Sequence, residues 1–249
     1  MREACGLRGG SGTGMIAGMF PATQWTELAR ATLHGDAAGR AALESLCRGY
    51  WEPVRRAILA KGWGRDDAED LAQGFFLDFM ERGVLNRADR ERGKFRTFLQ
   101  GVLNHWLIDE LRRRQAARRG GGVEAVSLEE LGEGMEPEME GGQVEVFDVA
   151  WAEAVMQAAL ARVMGELAGR HGDGRAAVLG AFLGVGGEVV SYEEGGRRVG
   201  LTLAAFKSEV LGWRRRLREC LRAEVRRTVG APHEIDEEME YLRRLLERK

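Results

Sequence analysis

Asn104, His105 and Trp106 stand together in the stretch GKFRTFLQGVLNHWLIDELRRRQAARR, Gly93–Arg119, and Arg112, Arg113, Arg114, Arg118 and Arg119 follow them. Aromatic faces beside cations are what unpaired nucleic acid needs, rings for the bases and charge for the phosphates. Phe95, Phe98, Leu99, Val102 and Trp106 share one face at helical spacing. The segment must therefore bury an apolar stripe and still offer its arginines. Trp106 lies on that stripe, so packing also accounts for it.

A second constellation lies in SYEEGGRRVGLTLAAFKSEVLGWRRRLRECLRAEVRRTVG, Ser191–Gly230. Ser191 and Glu194 have capping-box spacing, Gly200 breaks the chain, and Thr202 can cap a second helix. Helix, glycine-containing turn and longer basic helix are the layout of a helix-turn-helix. On the second helix Leu203, Phe206, Val210, Trp213, Leu217 and Leu221 form the stripe expected to pack. Lys207, Ser208, Arg215, Arg218 and Arg222 lie away from it. From Arg197 to Arg227 the chain also carries Arg197, Arg198, Arg214, Arg216, Arg226 and Arg227 against the acids Glu209, Glu219 and Glu224. That excess favours DNA, although long basic side chains also cover apolar surface with no ligand at all. Gly195 and Gly196 fall inside the first helix, where each costs about 0.8–1 kcal/mol relative to alanine.

A third surface lies in Asp66–Arg82. Ala68, Leu71, Ala72, Phe75 and Phe79 form a core stripe, and Asp66 with Glu69 resembles a capping box. Phe76, Leu77 and Met80 point away from the stripe, beside Glu69, Asp70 and Gln73. An apolar second face rimmed by polar groups suits a protein partner; burial on both sides in a larger bundle is the other reading.

The elements that must position these surfaces are helical throughout. Strand-like alternation is almost absent and proline occurs only at 21, 53, 137 and 232, so the expectation is an all-α chain. Ala42–Trp63 reads as a helix bent or interrupted at Pro53. Between Gly120 and Ala150 stand Glu124, Glu129, Glu130, Glu133, Glu136, Glu138, Glu140, Glu145 and Asp148, with no lysine or arginine. Such a segment reads as an acidic linker. Phe147, Trp151, Ala154, Ala158 and Ala161 then resume helical periodicity, a helix is expected over Arg175–Leu183, and Ile235, Met239, Leu242 and Leu246 mark a terminal helix. The expected division is a tail or start-site extension over 1–18, a first helical domain over 19–119, the linker over 120–146, a helix-turn-helix domain over 147–230, and a C-terminal helix over 231–249.

Composition narrows the function classes. The 249 residues are 44% hydrophobic, enough for real cores, and the net charge of −2 averages over strongly separated acidic and basic stretches. Cys5, Cys47 and Cys220 are odd in number and far apart, which fits a reducing compartment without disulfides. His34, His105, His171 and His233 have no zinc spacing. No apolar run approaches a membrane span of roughly 20 residues, and the start lacks a secretory apolar stretch. Gly12, Gly14 and Ala17 match a dinucleotide fingerprint without the strand it requires. No phosphate loop or nucleophilic triad is present. The chain reads as a cytoplasmic protein, not an enzyme, with no metal or cofactor.

Four blocks, in order, resemble those of a bacterial RNA polymerase sigma factor of the extracytoplasmic-function-like type. They are FPATQWTELARATLHGDAAGRAALESLCRGYWEPVRRAIL, DAEDLAQGFFLDFMER, RERGKFRTFLQGVLNHWLIDELRRR and SYEEGGRRVGLTLAAFKSEVLGWRRRLRECLRAEV, and the resemblance runs from about Phe20 to the C-terminus. It implies that Asp70, Gln73, Phe76 and Met80 dock on core RNA polymerase. It implies that Asn104 and His105 contact the melted strand of the minus-ten promoter element, with Arg112 and Arg113 on the backbone beside it. It implies that Thr202, Lys207, Ser208, Leu211 and Arg215 read the minus-thirty-five element, and that the acidic linker threads the polymerase. Promoter DNA is then a partner, and an anti-sigma factor is a further partner the resemblance allows. Gly74, Asn104, Gly195, Gly196 and Arg197 depart from the usual residues of that pattern. A helix-turn-helix regulator that never engages polymerase, and an RNA-binding or scaffold protein with two basic modules, are the rival readings.

Overall fold

The computed structural model describes residues 37–81, 94–118, 141–187 and 190–248. The expected tail over 1–18, the alternative start at Met19, Arg119 and the acids Glu124 to Glu140 lie outside the described residues. Those described form eight α-helices and no strand, as the periodicity requires: α1 (Ala37–Ala60), α2 (Arg65–Glu81), α3 (Phe95–Arg118), α4 (Gly141–His171), α5 (Asp173–Ala181), α6 (Tyr192–Arg198), α7 (Leu203–Arg226) and α8 (Glu234–Glu247).

Local chemistry sets the ends of the first helices. Pro53 lies inside α1 without ending it; the helix closes on Gly62, whose φ of 89° no side chain adopts readily. α2 starts at Arg65, one residue before the expected capping box, with Asp66 and Asp67 in its first turn, where carboxylates face the positive end of the helix dipole.

α4 is the axis on which α1, α3, α5, α7 and α8 pack. At 31 residues it runs about 46 Å. Phe147, Trp151, Val155, Ala159, Val163 and Leu167 form a continuous buried ridge along it. The expected stripe of Phe147, Trp151, Ala154, Ala158 and Ala161 is right only at its first two members. Ala158 and Ala161 are exposed, because the large side chains recur every fourth residue and fix which face turns inward. α1 and α7 both lie against α4. Tyr50 stacks on Phe147 with ring centroids 6.3 Å apart, Arg56 Nη1 donates to Glu153 at 2.7 Å, and Arg216 Nε donates to Glu166 at 2.7 Å. The first two contacts cross between the stretches expected to form separate domains, and α4 begins at Gly141, inside the expected linker.

A charged cluster sits in this core. Arg96 of α3 donates to Glu238 of α8 at 2.6 Å and to Asp148 of α4 at 2.8 Å. Gln100 donates to the other Asp148 oxygen at 2.9 Å, and Tyr241 donates its hydroxyl to Asp148 as well. Lys94 pairs with Glu238 at 2.6 Å. The Arg96 guanidinium lies 4.4 Å from the Tyr241 ring centroid and 5.4 Å from that of Trp151. Asp148, counted by sequence among the linker acids, is thus a buried tie between α3, α4 and α8.

Candidate nucleic-acid interface

The α6–turn–α7 unit is built from its caps outward. Ser191 Oγ accepts from the Glu194 amide at 3.1 Å and Thr202 Oγ1 from the Ala205 amide at 3.3 Å. Both are side-chain caps on otherwise orphaned amides. Gly200 takes φ 71° in the turn, and the Leu201 amide returns to the Gly196 carbonyl at 2.8 Å. Phe206 is fully buried, edge-on to Phe182 at 5.1 Å.

The paired glycines of α6, a helix-propensity defect by sequence, have a packing reason. A Cβ at Gly195 would sit 2.7 Å from the Phe206 ring, and one at Gly196 would sit 2.9 Å from the Leu201 carbonyl oxygen. The propensity cost is thus the condition for α7 to approach α6 this closely. Gly196→Ala is expected to destabilise by about 1–3 kcal/mol through overpacking, since its nearest neighbour is backbone. Gly212→Ala, where a Cβ meets open space, is expected to be neutral or stabilising. Urea unfolding of the two variants checks the contrast.

The residues assigned to this surface come together. Thr202, Lys207, Ser208, Leu211 and Arg215 are all exposed on α7 or at its cap. Phe206, Val210, Trp213 and Leu221 pack inward as expected, but Leu203 does not: it is 42% exposed. It occupies the first position of the helix, ahead of where α7 meets α6. Glu209 turns away from the exposed face, pairing with His171 at 3.0 Å and with Arg175. The guanidinium of Arg216 beside Glu166 holds that carboxyl at about 2, well below its ordinary value. Among the described residues no carboxylate pairs with Arg215, Arg218 or Arg226, while Arg222 pairs with Asp236 and Arg227 with Glu224.

The α3 constellation is divided. Trp106 is buried and its indole N–H donates to Asp78 at 2.7 Å, which settles it as packing. Asn104, expected to meet an unpaired strand, is only 6% exposed and accepts from Lys61 Nζ at 2.7 Å. This corrects its placement: position 104 follows Leu103 into the core, and Lys61 at the end of α1 completes its hydrogen bonding. His105 is half-buried. Arg112 and Arg113 reach the surface but lie near acids of their own helix, Asp109 at 3.6 Å and Glu110 at 3.3 Å. Arg114 bonds Glu110 at 2.9 Å and Asp67 at 2.8 Å. These arginines thus have acids one turn away on α3 and, for Arg114, on α2.

On α2, Asp70 and Gln73 are exposed and Met80 is partly buried. Phe76 does not point outward. It is 5% exposed, stacked on Trp51 at 5.8 Å and edge-on to Phe75 at 5.2 Å. The reason is Trp51 of α1, which covers the second face that the α2 periodicity leaves open. Leu77 and Trp51 carry what apolar surface remains there.

Sequence reading missed Arg96, Gln100, Asp148 and Glu238. Two signals were present: Arg96 and Gln100 fall four apart on a mostly apolar helix, and Glu238 lies between Ile235 and Leu242 on the terminal helix's apolar side. Cys47 and Cys220 are free thiols, Cys47 pushed up to about 12 chiefly by burial. Among the described residues no group of His, Cys, Asp or Glu could hold a metal ion, and no helix is long and apolar enough to cross a membrane. No family model, curated protein or solved structure matches the chain.

Proposed function

We propose that the chain is a sigma factor, a subunit that brings core RNA polymerase to promoter DNA, with α6–turn–α7 as a helix-turn-helix that reads upstream duplex. The observation that carries this is α7 itself. Its buried side is fixed by Phe206, Val210 and Trp213, and its exposed side presents Lys207, Arg215, Arg218 and Arg226, with no acid among the described residues paired to the three arginines. A capped helix with free cations on one side suits docking in a major groove flanked by phosphates. α3 supplies the second contact, through Arg112, Arg113 and Arg114. Their ion pairs to Asp109, Glu110 and Asp67 lie at or just below the surface, where such pairs are worth roughly 0–1 kcal/mol each, so the phosphates of an unpaired strand can displace the acids. The chemistry is binding alone; no covalent bond is made or broken.

Polymerase contact on this reading centres on Asp70, Gln73 and Leu77. Phe76 positions Trp51 and acts from below the surface. Leu77→Asp is expected to weaken binding to purified core polymerase about tenfold or more, as loss of an apolar anchor does, with the melting temperature unchanged. Run-off transcription by core polymerase plus the full chain, from the region upstream of its own coding sequence, tests the whole assignment. Transcripts that depend on the chain and fail with Leu77→Asp support it.

A second reading, a DNA-binding regulator that never engages polymerase, is favoured by the burial of Phe76 and Asn104. Duplex binding without any polymerase complex would select it.

A further inference from the structure

The exposed face of α7 is not uniform. Its first turns present Thr202, Leu203, Ala204, Lys207, Ser208 and Leu211, and only from Arg214 onward does it become arginine-rich. Leu203 is 42% and Leu211 51% exposed. At about 100° per residue they flank Lys207 on one side of the helix. Two isolated leucines on a surface are ordinary, but these stand on the side that also carries the unpaired arginines. Among the described residues no acid stands beside Leu203, Lys207 and Leu211: Glu209 is held away by His171 and Arg175, and Glu219, exposed further along α7, pairs with Arg216.

Hydrogen-bonding capacity then limits what this face can read. Specific base contacts in the major groove come chiefly from arginine or lysine to guanine and from asparagine or glutamine to adenine. Of these four, residues 202–212 contain only Lys207. The donors available are the Lys207 ammonium and the hydroxyls of Ser208 and Thr202, the Thr202 oxygen also accepting the capping bond from the Ala205 amide. What remains is apolar surface, whose complement in the major groove is the C5-methyl group of thymine. The later arginines Arg215, Arg218 and Arg226 have the position and charge for phosphate.

We infer that Leu203 and Leu211 are specificity-determining residues that read thymine methyl groups on either side of a base contacted by Lys207. The ligand class is therefore a thymine-rich duplex site, recognised more by methyl contact than by bidentate hydrogen bonds. This rests on the assignment of α7 as a duplex reader.

The test is selection of duplexes from a randomised pool by the full chain, followed by binding of the best site with deoxyuridine in place of individual thymidines. Uracil pairs as thymine does and lacks only the methyl group. Thymines are expected to recur in the selected sites, and each contacted methyl to be worth about fourfold in affinity, the effect of burying one carbon. Leu203→Ala and Leu211→Ala are each expected to abolish discrimination at one position and leave it intact at the other. Both side chains are exposed, so unchanged melting is expected. Equal affinity for thymine and uracil duplexes, or discrimination that survives both substitutions, overturns the inference while leaving duplex binding in place. Absence of any selected site overturns the duplex-reader assignment and the inference together.

Discussion

Glu238→Gln is expected to lower folding stability by about 3–5 kcal/mol, the cost of breaking a buried ion pair from one side. Glu238 is fully buried and meets both Arg96 and Lys94. With Asp148 the cluster holds two anions and two cations. The substitution leaves Arg96 and Lys94 against Asp148 alone, so one positive charge loses its partner where water is scarce. Glu237, next to it on α8, also approaches Lys94, at 3.4 Å, but is 73% exposed. Glu237→Gln is expected to fall within the roughly 0–1 kcal/mol of surface pairs. The double variant Arg96→Met/Glu238→Met removes one charge of each sign, and it should recover much of the loss because buried pairs are often matched by apolar packing. Urea midpoints of the four proteins decide the matter. A Glu238→Gln protein within about 1 kcal/mol of the parent would mean that water reaches the cluster and that α8 is held by its apolar face alone.

Why this cluster is hidden from a reading of the sequence is instructive. Arg96 and Glu238 are 142 positions apart, and helical periodicity reports only which residues share a face of one helix, never which faces meet. The same limit explains Phe76. α2 taken alone has a second apolar face, and only the position of Trp51 shows that α1 covers it. Asn104 fails for a related reason. A polar residue next to an apolar stripe is placed outside by pattern, yet Lys61 gives it a partner within the core. What pattern does capture are features decided within a few residues. The caps at Ser191 and Thr202, the turn at Gly200 and the inward set of α7 apart from Leu203 are legible, because capping and turn chemistry act locally. Gly195 and Gly196 show the boundary between the two regimes. Propensity identifies their cost correctly, while their reason, the closeness of Phe206 and Leu201, is tertiary.

The distinction between paired and unpaired arginines leads to the largest expected effect on binding. Arg215, Arg218 and Arg226 lie on one side of α7, within roughly 80° at about 100° per residue, and have no carboxylate partner among the described residues. If each neutralises one phosphate, replacing all three by glutamine flattens the dependence of log affinity on log salt by about 2.7, and lowers duplex affinity by about 10²–10³-fold at ~0.1 M salt. Glutamine keeps an aliphatic stem, and all three positions are exposed, so the melting temperature should not move. The matching replacement of Arg112, Arg113 and Arg114 should change the slope for duplex much less. Those side chains already lie beside Asp109, Glu110 and Asp67, so the surface they present is closer to neutral and draws fewer phosphates. On an unpaired strand the order of the two sets should narrow, since α3 is the surface assigned to that ligand. Fluorescence anisotropy across a salt series, with duplex and with single strand, measures all of these slopes. Equal slopes for the two triple variants on duplex would show that intramolecular pairing does not decide which arginines meet DNA, and would remove the ground for placing the duplex on α7.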